Sequence, residues 1–168
     1  MQARLVACFL LVVSAADVAA QDRRCGSASW SLGRPINLFD EPLPTVRDAH
    51  SLPKEGVFRL SLKPVSDVLY PVAPEQGSDG GNGAAITIER VSAGRYEIAL
   101  SEDAWVDAVQ SYKRLPLLPH PAKTECRGVR QRLLVVVGDE PLTLQIGGTI
   151  ARQISIAVTR IWDMERRL

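Results

Sequence analysis

The sequence predicts an all-β fold, namely an antiparallel β-sandwich of the jelly-roll type with about seven to nine strands and an extended N-terminal arm. The first observation behind this prediction is that short segments of alternating apolar and polar residues recur along the C-terminal two-thirds of the chain. The second is that segments rich in glycine and proline separate them. Helical periodicity is almost absent, which disfavours a helical or mixed fold.

The strand pattern is clearest in four segments. Residues 57–62 alternate between apolar and polar side chains, as a half-buried strand does. Residues 85–89 and 96–100 alternate in the same way on either side of a short turn at 92–94, so we expect them to form a hairpin. Residues 133–137 are apolar on both faces and fit a strand entering a sandwich core. Further extended segments are predicted at 65–72, 104–109, 142–146 and 154–158.

The segment 104–109 carries a prediction about its two faces. Trp105, Asp107 and Val109 fall on one face of a strand and the alternate residues on the other, although a helical turn is an alternative there. We expect Trp105 in the core or at its rim, because a tryptophan of a small sandwich commonly packs between the sheets. Residues 115–121 contain several prolines and are expected to be irregular.

Residues 1–20 have the pattern of a signal peptide. Arg4 precedes an apolar run at 5–13, and small residues at 18–20 suit cleavage, so the mature chain is expected to begin at Gln21. The apolar run is too short to span a bilayer, so we expect no membrane span after cleavage, with a retained anchor as the alternative. The product is therefore expected in the periplasm or outside the cell.

The mature chain is expected to contain a single domain. Residues 21–55 are rich in proline, arginine and aspartate, yet apolar residues recur along them, so we expect an extended arm that packs against the domain. Residues 56–168 are expected to form the β-sandwich, since the mature chain is long enough for one hydrophobic core.

The cysteines predict one disulfide. Of the three cysteines, Cys8 is expected to leave with the signal peptide, with lipidation at a lipobox-like sequence as the weaker alternative. Cys25 and Cys126 then remain in an oxidising compartment and are expected to pair. The bridge would close a loop of about 100 residues and stabilise the fold by roughly 4 to 5 kcal/mol. The chain has no Cys-x-x-Cys spacing, which disfavours a redox pair.

The charge of the chain excludes one class of partner. The formal net charge is +1, without the basic excess that nucleic-acid binding requires, so no nucleic-acid partner is expected. Arg127, Arg130 and Arg132 could present a positive stripe to an anionic surface or a carbohydrate. We favour a structural interpretation, in which they lie on the solvent face of an edge strand and block pairing with other chains.

The last two-thirds of the chain resembles known bacterial proteins in its residue pattern. The stretches that carry the resemblance are 94–96, 104–107, 126–130, 144–146 and 154–158. Together they resemble the C-terminal sandwich of bacterial pre-peptidase-type domains, and also short exported proteobacterial proteins that carry the label homogentisate 1,2-dioxygenase. The resemblance implies a sandwich fold, and it includes no catalytic signature.

The dioxygenase label implies a non-haem iron held by two histidines and a carboxylate. The chain has only two histidines, His50 and His120, and Glu125 would complete the triad. Both histidines lie near prolines, and no His-x-His spacing presents two ligands from one strand. We therefore favour exposed loop histidines and expect no metal, whereas stoichiometric iron in the native protein would favour the enzyme.

A glycine-rich loop at residues 74–83 raises the question of phosphate or calcium binding. The loop lacks the lysine and the following helix of a phosphate-binding loop. Asp79 and Asn82, joined by Asp103, would supply fewer carboxylates than a calcium loop normally has. We therefore favour a hairpin connection, keep calcium as the alternative, and expect no cofactor.

Catalytic carboxylates and nucleophiles are also disfavoured. Glu102, Asp103 and Asp107 cluster near a predicted strand end, where acidic side chains usually face solvent, and no Gly-x-Ser-x-Gly sequence marks a nucleophile. The sequence therefore favours an exported, non-catalytic β-sandwich that acts as a binding or accessory module for an envelope protein or a carbohydrate. The alternative is the metal-dependent dioxygenase that the label suggests.

Overall fold

A computed structural model describes residues 39, 42–47, 51–52, 55–76, 80–119 and 128–161. These residues form two β-sheets whose inner faces share one apolar core, and their only helical element is a 3-10 turn at Val65–Asp67. The all-β sandwich predicted from the sequence is thereby confirmed. In this described part of the chain, no helix is long and apolar enough to cross a membrane.

Each sheet contains six strands. Sheet A has, in spatial order, β1 (Thr45–Arg47), β3 (Gly56–Ser61), β12 (Gln153–Ile161), β6 (Gly94–Leu100), β10 (Gln131–Val137) and β9 (Leu117–Pro119). Sheet B has β2 (Ser51–Leu52), β5 (Asn82–Ile88), β11 (Leu142–Thr149), β7 (Trp105–Gln110) and β8 (Lys113–Leu115), with β4 (Lys63–Pro64) also paired with β5.

The strand number and the strand directions differ from the prediction. The described residues contain 12 strands rather than seven to nine, because β1, β2, β4, β8 and β9 have only two or three residues each. Segments this short show too little alternation to be recognised in a sequence. The sheets are mixed rather than purely antiparallel, since β1 pairs with β3 and β2 pairs with β5 in parallel. Both parallel strands come from the segment predicted to be an arm.

The hairpin predicted around residues 92–94 is wrong. The strand before this turn, β5, belongs to sheet B, and the strand after it, β6, belongs to sheet A. Alternation shows which side chains face the core, but it does not show which strand is the hydrogen-bonded neighbour. The turn therefore carries the chain across the sandwich, and the same holds for the turn between β10 and β11.

The core lies between the inner faces of the sheets. Its largest fully buried apolar side chains are Leu60, Ile86, Ile88, Ile98, Leu100, Leu142, Leu144, Ile146, Ile154, Ile156 and Val158. Each such side chain contributes about 1.5–3 kcal/mol through burial. Leu60 confirms the strand predicted at 57–62, and buried residues in β10, β11 and β12 confirm the extended segments predicted there.

The strand β7 has the two faces predicted for it. Ala108 is buried in the core with Val106 packed beside it, so the other face carries Trp105, Asp107 and Val109. The helical alternative is wrong. The prediction for 115–121 is wrong for residues up to 119, because β8 and β9 are short edge strands of the two sheets.

Candidate functional site

Residues 65–76, which we call the strap, cross the outer face of sheet B. The strap begins with the 3-10 turn and forms no strand, so the extended segment predicted at 65–72 is not part of either sheet. It donates three hydrogen bonds to sheet B, from Tyr70 Oη to Ile146 O at 3.0 Å, from Val72 N to Gln145 Oε1 at 3.1 Å and from Glu75 N to Asp107 Oδ2 at 3.1 Å.

Two buried polar side chains hold the strap from below. Gln145 is 0% exposed and Asp107 is 5% exposed, so the expectation that Asp107 faces solvent is wrong. Buried polar groups are costly unless they are hydrogen-bonded, and here backbone N–H groups of the strap supply the partners. Arg114 adds an ion pair with Asp107, at 3.6 Å from Nε to Oδ2, and a hydrogen bond to the carbonyl of Ala73.

Trp105 lies on the outer face of sheet B, which corrects the expectation that it packs between the sheets. Its ring centroid is 5.4 Å from that of Tyr70, with the ring planes tilted by 55°. The indole rests on the backbone of Gly147 and Gly148, and a Cβ at Gly147 would lie only 2.3 Å from Trp105 Cζ2. Because these two glycines have no side chains, the indole ring can pack directly against the backbone of the strand.

A groove with a volume of about 500 Å³ opens beside the strap. Its lining residues are Pro71, Val109, Ser111, Tyr112, Glu140, Pro141 and Thr143. Val109 and Thr143 are a cross-strand pair of β7 and β11 on the outer face, and they form the floor. The Thr143 hydroxyl also shares a hydrogen bond of 3.0 Å with the hydroxyl of Thr87. The volume lies within the range of small-ligand sites.

One wall of the groove is the two-residue turn between β7 and β8. Ser111 and Tyr112 both have positive φ, 47° and 59°, although neither is glycine. Such residues cost on the order of 1–3 kcal/mol each and persist where the surrounding structure over-determines them, often at ligand sites. The Tyr112 side chain is 81% exposed and stands at the rim. Hairpin turns of this kind favour Asn-Gly, and Ser-Tyr carries no such signal, so the sequence did not reveal the turn.

The other wall is the turn between β10 and β11, and Gln110 fixes it to the first. Gln110 Nε2 donates to Gly138 O at 3.2 Å and to Glu140 O at 2.6 Å, and Gly138 N donates to Gln110 Oε1 at 2.8 Å. The Ser111 hydroxyl donates to the carboxylate of Glu140. Because both walls are joined by hydrogen bonds, the groove is pre-formed, which lowers the entropic cost of binding.

Most of the candidate metal ligands, and both cysteines of the expected disulfide, lie outside the described residues. They are Cys25, His50, Asp79, His120, Glu125 and Cys126. The disulfide, the iron site and the calcium site therefore remain predictions. Asn82, of the calcium set, donates its side-chain amide to Ile150 O and Ala151 O, and Asp103 is exposed. Among the described residues, no group of three or more histidine, cysteine, aspartate or glutamate side chains could hold a metal ion.

The arginines of the basic stripe have different environments. Arg130 is exposed, Arg127 lies outside the described residues, and Arg132 is buried and paired with the carboxylate of Glu97. The strand β10 is not an edge strand, since β6 and β9 flank it. For Arg132, both the solvent-facing interpretation and the positive stripe are therefore wrong.

The outer face of sheet A is covered, which explains why Arg132 is buried. Ala99, Ala157 and Val129 form a second apolar cluster there, with Phe39 and Val57 packed against it. Phe39 belongs to the segment predicted as an arm, so at this residue the arm contacts the domain. The small alanines on this face allow Phe39 and Val129 to approach the sheet closely.

Comparison of the chain with models of known protein families, with curated proteins and with solved structures gives no match. The chain is thus defined by its fold and site, as a two-sheet sandwich with a strap and a groove on one outer face. Fold alone does not fix function, so the functional argument depends on the groove itself.

Proposed function

We propose that the protein is an exported, non-catalytic β-sandwich that binds a component of the bacterial envelope through the groove. The observation that carries the proposal is the turn at Ser111 and Tyr112, whose positive φ angles hold an exposed aromatic ring at the rim. Exposed aromatic side chains on a pre-formed scaffold are typical of binding sites. The export part of the proposal depends on the signal-peptide pattern of residues 1–20.

The polar chemistry of the groove suits binding better than catalysis. Among the described residues that line it, the one serine, threonine or cysteine with an acidic neighbour is Ser111, whose hydroxyl donates to Glu140. The described residues that line the groove include no histidine or lysine, and the one carboxylate that could act as a general base, that of Glu140, is exposed. A serine hydroxyl that donates to an exposed carboxylate leaves acceptor oxygens on both groups for a ligand.

The test measures whether the protein associates with cell envelopes through the groove. The full-length gene is expressed in a bacterial host, and the mature protein from the periplasm is incubated with isolated envelopes and sedimented. We expect co-sedimentation of the wild type and its loss in Tyr112→Ala. Ile150→Ala is the matched control, because Ile150 is 96% exposed at the opposite end of β11.

Two results would contradict the proposal. One is a protein that stays in the cytoplasm with Met1 intact. The other is equal sedimentation of the Tyr112→Ala and Ile150→Ala proteins, since removing an apolar side chain of the rim would then matter no more than removing one elsewhere.

A further inference from the structure

We infer that the ligand of the groove is an uncharged saccharide chain. This inference rests on the proposed function and adds the chemical class of the ligand. It follows from three features of the groove, namely flat apolar surfaces, a cluster of oxygen atoms and a floor that offers no backbone hydrogen bonds.

The apolar surfaces of the groove match the C–H faces of sugar rings. The Tyr112 ring is exposed at the rim, and Pro71 of the strap and Pro141 of the turn between β10 and β11 also line the groove. An aromatic ring carries a negative face that attracts the partly positive C–H bonds of a pyranose.

The polar groups of the groove match sugar hydroxyls. Ser111, Thr143 and Glu140 line the same groove, and each carries at least one oxygen that accepts hydrogen bonds. The Glu140 carboxylate accepts a hydrogen bond from Ser111 through Oε2, and Glu140 is exposed. Sugar hydroxyls both donate and accept, so they can satisfy the carboxylate and the two hydroxyls together.

The charge of the lining excludes acidic ligands. Glu140 is the one charged residue among the described residues that line the groove. Among the described lining residues, a uronate or phosphate would meet this carboxylate and no cation to offset the repulsion. The groove therefore favours an uncharged saccharide over an anionic one.

The floor disfavours an extended peptide. Val109 and Thr143 belong to β7 and β11, and both strands already have hydrogen-bonded neighbours on each side. A peptide that binds by strand addition needs a free sheet edge, and the groove opens on a sheet face instead. A saccharide needs only side-chain contacts, and these are what the groove provides.

The test titrates the mature protein with a tetramer of β-1,4-linked N-acetylglucosamine, followed by NMR shifts or calorimetry. We expect saturable binding to the wild type and no binding of tetragalacturonate at the same concentrations. Tyr112→Ala should weaken binding by about tenfold or more, the loss that one ring-stacking contact produces. Tyr112→Phe keeps the ring and should bind as the wild type does, and Ile150→Ala is the unrelated control.

A charge variant tests the second feature. Glu140→Gln should allow tetragalacturonate to bind, because the repelling carboxylate is gone while the side chain keeps its shape. Failure of the wild type to bind the neutral tetramer, or equal binding by wild type and Tyr112→Ala, would overturn the saccharide inference.

Treated envelopes separate this inference from the proposed function. Digestion of the envelopes with a muramidase should abolish the sedimentation of the wild-type protein that depends on Tyr112. Treatment of the envelopes with a protease before the protein is added should leave that sedimentation unchanged. The reverse result would identify a protein ligand, which overturns the saccharide inference and keeps the binding module. If the wild type and Tyr112→Ala sediment equally with untreated envelopes, both the saccharide inference and the proposed function are overturned.

Discussion

Gln110 and Glu140 are joined across two turns that lie 30 residues apart in the chain, by a hydrogen bond of 2.6 Å from Gln110 Nε2 to Glu140 O. Gln110 is only 7% exposed, and its amide makes two more hydrogen bonds with the backbone of Gly138. One side chain thus sets the distance between the two walls of the groove. In the proposed binding site, Gln110 is a positioning residue for Ser111, Tyr112 and Glu140.

Gln110→Ala should therefore affect both stability and binding. Removing the amide leaves the carbonyls of Gly138 and Glu140 without this donor, which should lower the free energy of unfolding by about 1–3 kcal/mol. Binding of the N-acetylglucosamine tetramer should weaken as the walls separate. Chemical denaturation and calorimetry measure the two effects, and Gln153→Ala, at the exposed first residue of β12, is the control. Unchanged stability would show that the amide does not hold the walls.

Gly147→Ala should destabilise sheet B through its contact with Trp105. The added Cβ would lie 2.3 Å from Trp105 Cζ2, so the indole must move, at a cost of about 1–3 kcal/mol. Gly138→Ala is the matched control, because a Cβ there meets Gln110 Oε1 at 3.7 Å, an ordinary contact. In the background Trp105→Leu the Gly147→Ala substitution should cost much less. Equal costs in both backgrounds would show that the indole does not require the glycine.

Prediction from the sequence was most reliable for the core. Alternation placed Leu60, Ile98 and Ile156 correctly, because burial on one face imposes a period of two on any strand. The same signal could not identify the partners of β5 and β6, since it is local and pairing is not. The fold class was therefore predictable, whereas the mixed sheets and the assignment of strands to them were not.

The groove could not be predicted for a related reason. Its floor is built from β7 and β11, its walls from two turns, and one edge from the strap, which are distant in sequence. Asp107 and Arg132 were misassigned because a charged residue in an alternating strand usually indicates a solvated face. Here the strap covers the face of sheet B that carries Asp107, and the second apolar cluster lies on the face of sheet A that carries Arg132. The strap and the second apolar cluster are recognisable only in the folded structure.

The buried ion pair between Glu97 and Arg132 provides the next prediction. Both side chains are 5% exposed, and they lie on the neighbouring strands β6 and β10. Arg132→Met should cost about 3–5 kcal/mol, because it leaves the Glu97 carboxylate buried without its cation. Adding Glu97→Leu should restore much of that loss, since no buried charge then remains. Arg130→Met, at an exposed position, should change the free energy of unfolding by less than about 0.5 kcal/mol.

That pair is tested by urea denaturation of the single and double variants. The prediction fails if the double variant is less stable than the wild type by the sum of the losses of the two single variants. Such additivity would mean that the two charges do not interact in the folded protein.

Tyr96 should make the protein less stable in alkali. Burial raises the pKa of the Tyr96 phenol above its ordinary value of 10.0, and the hydroxyl donates a hydrogen bond of 3.2 Å to Ser92 O. Because the folded pKa is the higher one, the contribution to stability is fully present below pH 10 and is lost as pH rises through the folded pKa. In that window the unfolded chain releases the proton that the folded chain retains.

Tyr96→Phe removes this ionisation and tests the argument. The variant should lose about 1 kcal/mol at neutral pH with the hydrogen bond to Ser92, yet its stability should fall less steeply above pH 10 than that of the wild type. Urea denaturation between neutral and alkaline pH gives both curves. Tyr112→Phe is the control for loss of a tyrosine hydroxyl, because Tyr112 is largely exposed. Parallel curves for Tyr96→Phe and the wild type would show that burial of Tyr96 does not resist ionisation, and that the inner face of β6 admits water at high pH.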